Sequence, residues 1–185
     1  MILKLTKKIF IIVFSFVFSM QIVAQDDKEK SILEIALEGF KFRSIGPAFM
    51  SGRIADIAID TTNENIWYVA VGSGGLWKTT NSGTTWTPLT DKESFYSTGC
   101  VTIDPHNNEK IWLGTGENVG GRHVGIGHGL FVSDDGGKTW ENSGLKKSEH
   151  ISKIVVHPTD PNTIWVAVQG PLWSPDGERG LYKST

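Results

Sequence analysis

The chain has 185 residues, a formal net charge of −2 and one cysteine. This length suits one ordinary domain, and the slightly acidic balance argues against nucleic acid as the main partner, because phosphate binding requires a basic face. A single thiol cannot form an internal disulfide bond, and Cys100 lies in the apolar stretch GCVTI. That setting favours a buried small side chain over a nucleophile.

The first predicted element is a secretory signal peptide over residues 1–25. Three lysines within the first eight residues precede an apolar run at residues 9–19, and Ala24 offers a small residue for cleavage. The run is shorter than the ~20 residues of a membrane span. We therefore predict an exported chain, periplasmic or extracellular, with no membrane span after cleavage. Cleavage removes three lysines and no acids, which leaves 15 basic and 20 acidic residues and a formal charge of −5. Residues 26–44 are predicted to lead into the folded domain.

Residues 45–185 contain a repeated pattern. Each copy has an apolar stretch, a turn rich in Asp, Asn, Pro and Thr, an Ile-Trp pair and a second apolar stretch. The tryptophans of these pairs, Trp67, Trp112 and Trp165, are 45 and then 53 residues apart and are predicted to occupy equivalent positions on a second strand. A short third apolar stretch follows each pair, and Trp77 lies on the first of these.

Two similar octapeptides follow the third stretch in the first two copies. They are TTNSGTTW at residues 79–86 and SDDGGKTW at residues 133–140. Asn and Asp accept hydrogen bonds from nearby backbone N–H groups, and Gly supplies the positive φ of a tight turn. We predict structural turns that join a third strand to a fourth, with each Trp in the core. The residues assigned to them are Thr79, Asn81, Gly83, Trp86, Ser133, Asp135, Gly137 and Trp140.

Four short antiparallel strands every ~45–53 residues are typical of a β-propeller blade. We therefore predict an all-β propeller with blades at about 51–90, 95–145 and 150–185, the third of them incomplete. Propellers usually need about four to eight blades to close a ring. The chain is accordingly predicted to be the N-terminal fragment of a longer protein, whose remaining blades are its first expected partners.

The second octapeptide fits the S/T-x-D-x-G-x-x-W pattern of the Asp-box, or bacterial-neuraminidase-type, repeat, and the first is a variant with Asn81. Together with FRSIGPAFMSGRIADIAID and HPTDPNTIWVAVQGPLW, these motifs make residues 40–185 resemble the start of secreted bacterial proteins with a sortilin-like propeller. Such proteins are often labelled glycosyl hydrolases. The resemblance implies the fold and leaves function open, because Asp-box propellers include enzymes, sorting receptors and assembly factors.

Because strand direction alternates, the turn between the first and second strands of a blade lies on the same face as the turn between its third and fourth strands. This face is here called the turn face. The second-to-third loops and the connections between blades lie on the other, here called the loop face. Loop length on the loop face varies from Gly72 and Ser73 to residues 117–128 and 170–179, which favours this face for binding. The binding candidates there are Arg53, Tyr96, Glu117, Arg122, His123, His128, His150 and Trp173.

Several of these candidates have two interpretations. Glu117 follows a second strand, where a general acid is useful, but it is equally able to pair with Arg122 or to cap the glycine-rich loop. Trp173 is able to stack on a sugar ring or a peptide side chain, or to anchor its loop between blades. His123 and His128 have no carboxylate at ligand spacing, so we expect neither a metal nor a cofactor.

Two enzyme resemblances are incomplete. Sialidases carry a Phe-Arg-Ile-Pro motif before their first blade, whereas FRSIGP has two extra residues between Arg43 and Pro47. Xyloglucanase-type propellers place a catalytic Asp two residues before a Gly-Gly pair, and Gly72 stands there in this chain. We predict a secreted, non-catalytic propeller that binds protein, peptide or glycan through its loop face. The alternative is a glycoside hydrolase whose carboxylates lie partly in blades outside this chain.

Overall fold

The computed structural model describes residues 52–121 and 123–184, which form eleven β-strands in three antiparallel sheets. Blade 1 comprises β1 (Ile54–Ile59), β2 (Trp67–Val71), β3 (Gly75–Thr79) and β4 (Thr87–Pro88). Blade 2 comprises β5 (Thr98–Asp104), β6 (Asn107–Thr115), β7 (Leu130–Ser133) and β8 (Glu141–Gly144). Blade 3 comprises β9 (Ile151–Val156), β10 (Ile164–Val168) and β11 (Gly180–Ser184).

Within each sheet the strands are hydrogen-bonded in chain order. Blades 1 and 2 have four strands and blade 3 has three, so the predicted all-β class and the incomplete third blade are confirmed. The described part of the chain contains no helix that could cross a membrane. The predicted signal peptide and lead-in lie outside the described residues.

Two apolar clusters hold neighbouring blades together. The first joins Tyr68 and Leu76 of blade 1 to Ile111, Leu113 and Phe131 of blade 2. The second joins blade 2 to the apolar residues of β9 and β10. Burial of such side chains contributes about 1.5–3 kcal/mol each, so these clusters carry much of the stability of a chain without disulfide bonds.

Cys100 lies in the second cluster and is fully buried. Burial raises the pKa of its thiol to about 12. The thiol therefore stays protonated at neutral pH, in agreement with the interpretation of Cys100 as a small apolar side chain.

The register of blade 1 corrects the predicted equivalence of three tryptophans. Trp67 pairs with Thr79, the first residue of its octapeptide turn. In blade 2 the turn begins at Ser133, and Ser133 pairs with Ile111. Trp112 pairs instead with Val132, the residue before Ser133. Trp67 is therefore one position out of register with Trp112.

A one-residue shift turns a side chain to the opposite face of its sheet. Tyr68 occupies the position of Trp112 and packs towards the next blade, whereas Trp67 lies on the side of blade 1 that faces away from blade 2. The cause is a shorter connection, because seven positions separate Asp60 from Trp67 and eight separate Asp104 from Trp112. Trp165 keeps the register of Trp112.

Both octapeptide turns have the hydrogen bonds expected of a structural turn. The Asp135 carboxylate accepts from the backbone N–H groups of Lys138 and Thr139, both at 2.9 Å. The Asn81 side-chain oxygen accepts from the Thr85 N–H at 2.8 Å. The hydroxyl that begins each turn accepts from the N–H of its glycine, at 2.9 Å in the first turn and 2.8 Å in the second.

The tryptophans that end the turns differ in burial. Trp140 is partly buried and packs against the first apolar cluster, as predicted. Trp86 is 39% exposed and packs on Trp67, with ring centroids 6.4 Å apart. Trp86 faces the side of blade 1 that lies away from blade 2, so its predicted place between two blades stays a prediction. Each Trp directly precedes its fourth strand.

Exchanging Asp and Asn between the two turns should exchange their acid sensitivity. Hydrogen bonds from Thr139 and then Ser133 hold the pKa of Asp135 well below its usual range. Because this pKa is lower in the folded than in the unfolded chain, the stabilisation is present above about pH 4 and is lost as the pH falls below it. In Asp135→Asn the free energy of unfolding should fall less steeply with decreasing pH. In Asn81→Asp it should fall more steeply, while the stability at pH 7 stays nearly unchanged.

Urea unfolding of the two variants between pH 7 and pH 2.5 measures this exchange. Wild-type pH dependence in Asp135→Asn would contradict the assigned turn geometry.

Candidate functional site

Contacts between loops agree with the predicted division into two faces. On the loop face, the N–H of Gly127 in the blade 2 loop donates to the carbonyl of Glu149 in the connection to blade 3, at 2.7 Å. On the turn face, the N–H of Ser82 donates to the carbonyl of Asn65 at 3.0 Å. The octapeptide turns therefore lie away from the long loops.

The three blades place three different side chains at one equivalent position, directly before the first strand. The carbonyl of each of these residues accepts a hydrogen bond from the backbone N–H just after the second strand, at 2.7, 2.9 and 2.9 Å. The residues are Arg53, Ser97 and His150, and their donors are Gly72, Gly116 and Gln169. This shared geometry brings two of the predicted binding candidates, Arg53 and His150, to corresponding positions around the loop face.

Glu117 is enclosed at the junction of these positions and is only 2% exposed. Its carboxylate accepts hydrogen bonds from the Arg53 guanidinium and from the Ser73 hydroxyl. Its carbonyl bonds the ring Nδ1 of His150 at 2.9 Å, and its N–H donates to Gly125 at 3.0 Å. Glu117 thus links all three blades. Arg53 fills the role predicted for Arg122, which lies outside the described residues.

His150 is 1% exposed. Burial lowers the pKa of its imidazole, while the neighbouring Glu149 opposes that shift. The ring is therefore neutral at pH 7, and Nδ1 carries the proton that it donates to the Glu117 carbonyl. The structure assigns His150 to loop positioning, since little of its ring reaches solvent.

A groove of about 380 Å³ opens on the loop face where three connections meet. They are the blade 2 loop, the connection from blade 2 to blade 3, and the blade 3 loop. Its lining contains both cationic and anionic side chains and the predicted candidate His128. The lining residues are Ile126, Gly127, His128, Lys146, Lys147, Glu149, Pro171, Ser174, Asp176 and Gly177.

Trp173 belongs to the blade 3 loop that forms one side of this groove, and it is 79% exposed. Trp173 therefore does not pack between blades 2 and 3, and its role as an anchor against a further blade stays an alternative. The loop is held by other contacts. Arg179 donates to the Pro171 carbonyl, and the Lys147 N–H donates to the Glu178 carboxylate at 2.8 Å. The indole is therefore presented to solvent from a fixed loop.

The remaining candidates are more dispersed. Tyr96 is 63% exposed, and its carbonyl accepts from the Gly75 N–H at 2.7 Å. His123 is also exposed. Residues 52–121 and 123–184 contain no group of three or more side chains arranged to hold a metal ion.

Sequence reasoning missed Ser73 and Lys147. Ser73 stands in the glycine-rich GSGG turn, which suggests only backbone freedom, yet register places it at the position of Glu117 in the next blade. Lys147 acts through its backbone N–H, for which the sequence contains no signal.

Known proteins resemble this chain over limited lengths. No family model matches it. A xyloglucanase of Hypocrea jecorina (strain QM6a) is 34% identical over 113 residues, and this match covers 49% of the chain and 13% of the xyloglucanase. The chain thus spans a small part of the length of that relative.

Two solved structures of GH74 enzymes share the fold. The Niastella koreensis GH74 enzyme is 27% identical with a TM-score of 0.51, and the match covers 69% of this chain and 19% of the enzyme. An ancestral GH74 enzyme is 22% identical with a TM-score of 0.54, covering 71% of this chain and 17% of the enzyme. This chain is a partial β-propeller. Its three antiparallel sheets of three or four strands agree with the predicted fold class.

Proposed function

We propose that this chain belongs to an exported, non-catalytic propeller that binds glycan through its loop face. The observation that carries the proposal is the polar groove beside Trp173, whose indole is 79% exposed. Similarity to a xyloglucanase over 113 residues supports glycan ahead of the protein and peptide ligands that the sequence left open.

The chemistry of the groove suits a neutral sugar. Glu149 and Asp176 offer acceptors, and Lys146 and Lys147 add positive charge on the same surface. A sugar ring presents hydroxyl groups at its edge and an apolar face, and an exposed indole is suited to cover such a face. Ligand sites typically combine an apolar surface with a few placed polar groups.

Glu117 supports a binding role over catalysis. A glycosidase requires a general acid, and a carboxyl in a sheltered environment is the usual choice. Glu117 is sheltered, but Arg53 and Ser73 hold it as an acceptor. Asp176 lines the groove but is exposed. We therefore assign Glu117 to holding the loops of neighbouring blades.

Replacing Trp173 should weaken glycan binding without unfolding the protein. Xyloglucan oligosaccharides, with cello-oligosaccharides as the unbranched comparison, are titrated into the protein as its gene encodes it. Trp173→Ala should raise Kd at least ~10-fold, because aromatic anchors carry much of the energy of a binding site. Trp86→Ala is the matched control, since it removes an exposed indole from the outer side of blade 1. Equal affinity in wild type and Trp173→Ala would refute the assigned site.

A second candidate function is glycoside hydrolysis, which one observation favours. Glu149 and Asp176 line the same groove, and a pair of carboxylates flanking the glycosidic bond is the usual catalytic arrangement. Release of reducing ends from xyloglucan separates the two proposals. Turnover abolished by Asp176→Asn or Glu149→Gln would replace binding with hydrolysis, whereas binding without product release supports the first proposal.

We also propose that the octapeptide turns are Asp-boxes of a sortilin-like propeller. The similar hydrogen bonds of Asn81 and Asp135 support this assignment. In both turns the fourth and fifth residues have positive φ, 53° and 85° in the first and 71° and 91° in the second. A structural role predicts that substitutions in the turns change stability and leave glycan affinity unchanged.

A further inference from the structure

His150 ties together the three connections that form the groove on the loop face. Its ring Nδ1 donates to the Glu117 carbonyl, at the start of the blade 2 loop, at 2.9 Å. Its own carbonyl accepts from the Gly170 N–H of the blade 3 loop at 3.4 Å. The residue before it, Glu149, accepts at its carbonyl from the Gly127 N–H at 2.7 Å. Each connection that lines the groove is therefore bonded to His150 or to its neighbour.

The connection that leads to His150, residues 145–149, has a strained backbone. Leu145 and Glu149 both have a φ of 53°, in the left-handed region that residues other than glycine rarely adopt. Between them, the hydroxyl of Ser148 is buried without a hydrogen-bond partner among the described residues. Such a conformation persists only while the surrounding contacts hold it. Weakening the contacts of His150 should therefore let this connection open.

A second proton on the His150 ring would weaken those contacts. The side chain is 1% exposed, and burial lowers the pKa of the imidazole below its ordinary value of about 6.5. Nδ1 already carries the proton that it donates to the Glu117 carbonyl. The second proton must enter at Nε2, which has no hydrogen-bond partner among the described residues. The cation is therefore favoured only when the loops open and water reaches the ring.

Charged groups on the neighbouring elements act on the same ring. Glu149 favours the cation and opposes the effect of burial. The Glu117 carboxylate of blade 2 is bonded to the Arg53 guanidinium of blade 1, which offsets its charge. The blade 3 loop brings the Arg179 side chain against Gly170. Blades 1 and 3 thus each contribute a guanidinium, which adds to the cost of charging the ring. The groove beside this junction adds the charged or titratable side chains His128, Lys146, Lys147 and Asp176.

We propose that proton uptake by His150 opens the groove, so that the loop face releases its ligand in mildly acidic surroundings. Because the enclosed ring binds its second proton more weakly than an open one, the closed groove is fully stable above about pH 6.5. It loses stability as the pH falls below that value. The opening is a property of the fold, and its effect on the ligand rests on the proposed glycan binding.

Amide hydrogen exchange of the protein without ligand, between pH 7.5 and pH 5, tests the opening. After correction for the intrinsic pH dependence of exchange, residues 125–129 and 146–149 should open at least ~10-fold more often at pH 5, because one unit of pKa difference is a factor of ten. The amides of β6 should keep their protection. His150→Asn, which keeps a side-chain N–H and does not titrate, should remove this pH dependence. His128→Asn is the matched control, because it removes an exposed imidazole from the same groove, and should respond like wild type.

NMR titration of the histidine rings decides the case in which His150→Asn itself loosens the loops. Opening of the loops in wild type should follow the titration of the His150 ring. Equal pH dependence in wild type and His150→Asn, or opening that follows a different histidine, would overturn the inference. Loss of protection in β6 at the same pH would also overturn it, because the whole domain would then be unfolding.

Binding of a xyloglucan oligosaccharide tests the consequence for the ligand. Its Kd should rise at least ~10-fold from pH 7.5 to pH 5 in wild type and change little in His150→Asn. Constant affinity in wild type while the loops open would overturn the proposed release. Absence of binding at both pH values would refute the proposed glycan binding alone, because the exchange measurement requires no ligand.

Discussion

Trp140→Ala should lower the free energy of unfolding by about 3 kcal/mol. Trp140 packs against the apolar cluster between blades 1 and 2, so truncation to Ala empties a space that Leu89 and neighbouring side chains cannot refill. Gly137 shows how closely this region is packed, since a Cβ added there would lie 2.5 Å from the Leu89 side chain. Urea unfolding followed by fluorescence and by circular dichroism measures the change.

Two controls isolate the packing contribution. Trp140→Phe should cost much less, because it keeps a ring in the cluster and removes an indole N–H that is buried without a partner among the described residues. Trp86→Ala should cost about 1 kcal/mol, because Trp86 is 39% exposed and buries less surface. Equal losses in Trp140→Ala and Trp86→Ala would contradict the different burial of the two turns.

Arg53→Ala should destabilise the protein by about 2 kcal/mol, more than Glu117→Gln. Removing one partner of a buried ion pair leaves an uncompensated charge, which costs about 3–5 kcal/mol when both partners are buried. The Arg53 side chain is 60% exposed and that of Glu117 is 3% exposed, so water reduces this cost. Glu117→Gln leaves only a solvated cation and should cost about 1 kcal/mol.

The double variant decides whether this explanation holds. Arg53→Ala combined with Glu117→Gln removes the buried charge together with its partner, so it should be more stable than Arg53→Ala alone. Thermal unfolding of all four proteins gives the coupling. Strictly additive losses, or a greater loss in Glu117→Gln than in Arg53→Ala, would show that the pair does not hold the loops as described.

The strands, the turns and the division into two faces could be predicted from the sequence alone. Each follows from local patterns, because Asp135 and Gly137 determine a turn and alternating strand direction determines the faces. The position of Trp67 was not predictable from the Ile-Trp pairs, since one missing residue after Asp60 turns the side chain to the other side of the sheet. The lengths of the first connections contained this information.

The chemistry of the candidate site depended on contacts between blades. Arg53 and Glu117 are 64 positions apart and meet only because blades 1 and 2 pack side by side. Sequence proximity favoured Arg122 as the partner instead. The exposure of Trp173 was equally inaccessible, because one loop sequence is compatible with an anchor or with a presented indole.

Amide hydrogen exchange with and without a xyloglucan oligosaccharide shows directly whether the loop face is the binding face. We expect slower exchange in residues 125–129, 146–149 and 170–179, which form the groove and the Trp173 loop. Exchange in the octapeptide turns, residues 79–86 and 133–140, should be unchanged. Protection concentrated in those turns, with the groove loops unaffected, would contradict the assignment of the faces and of the site.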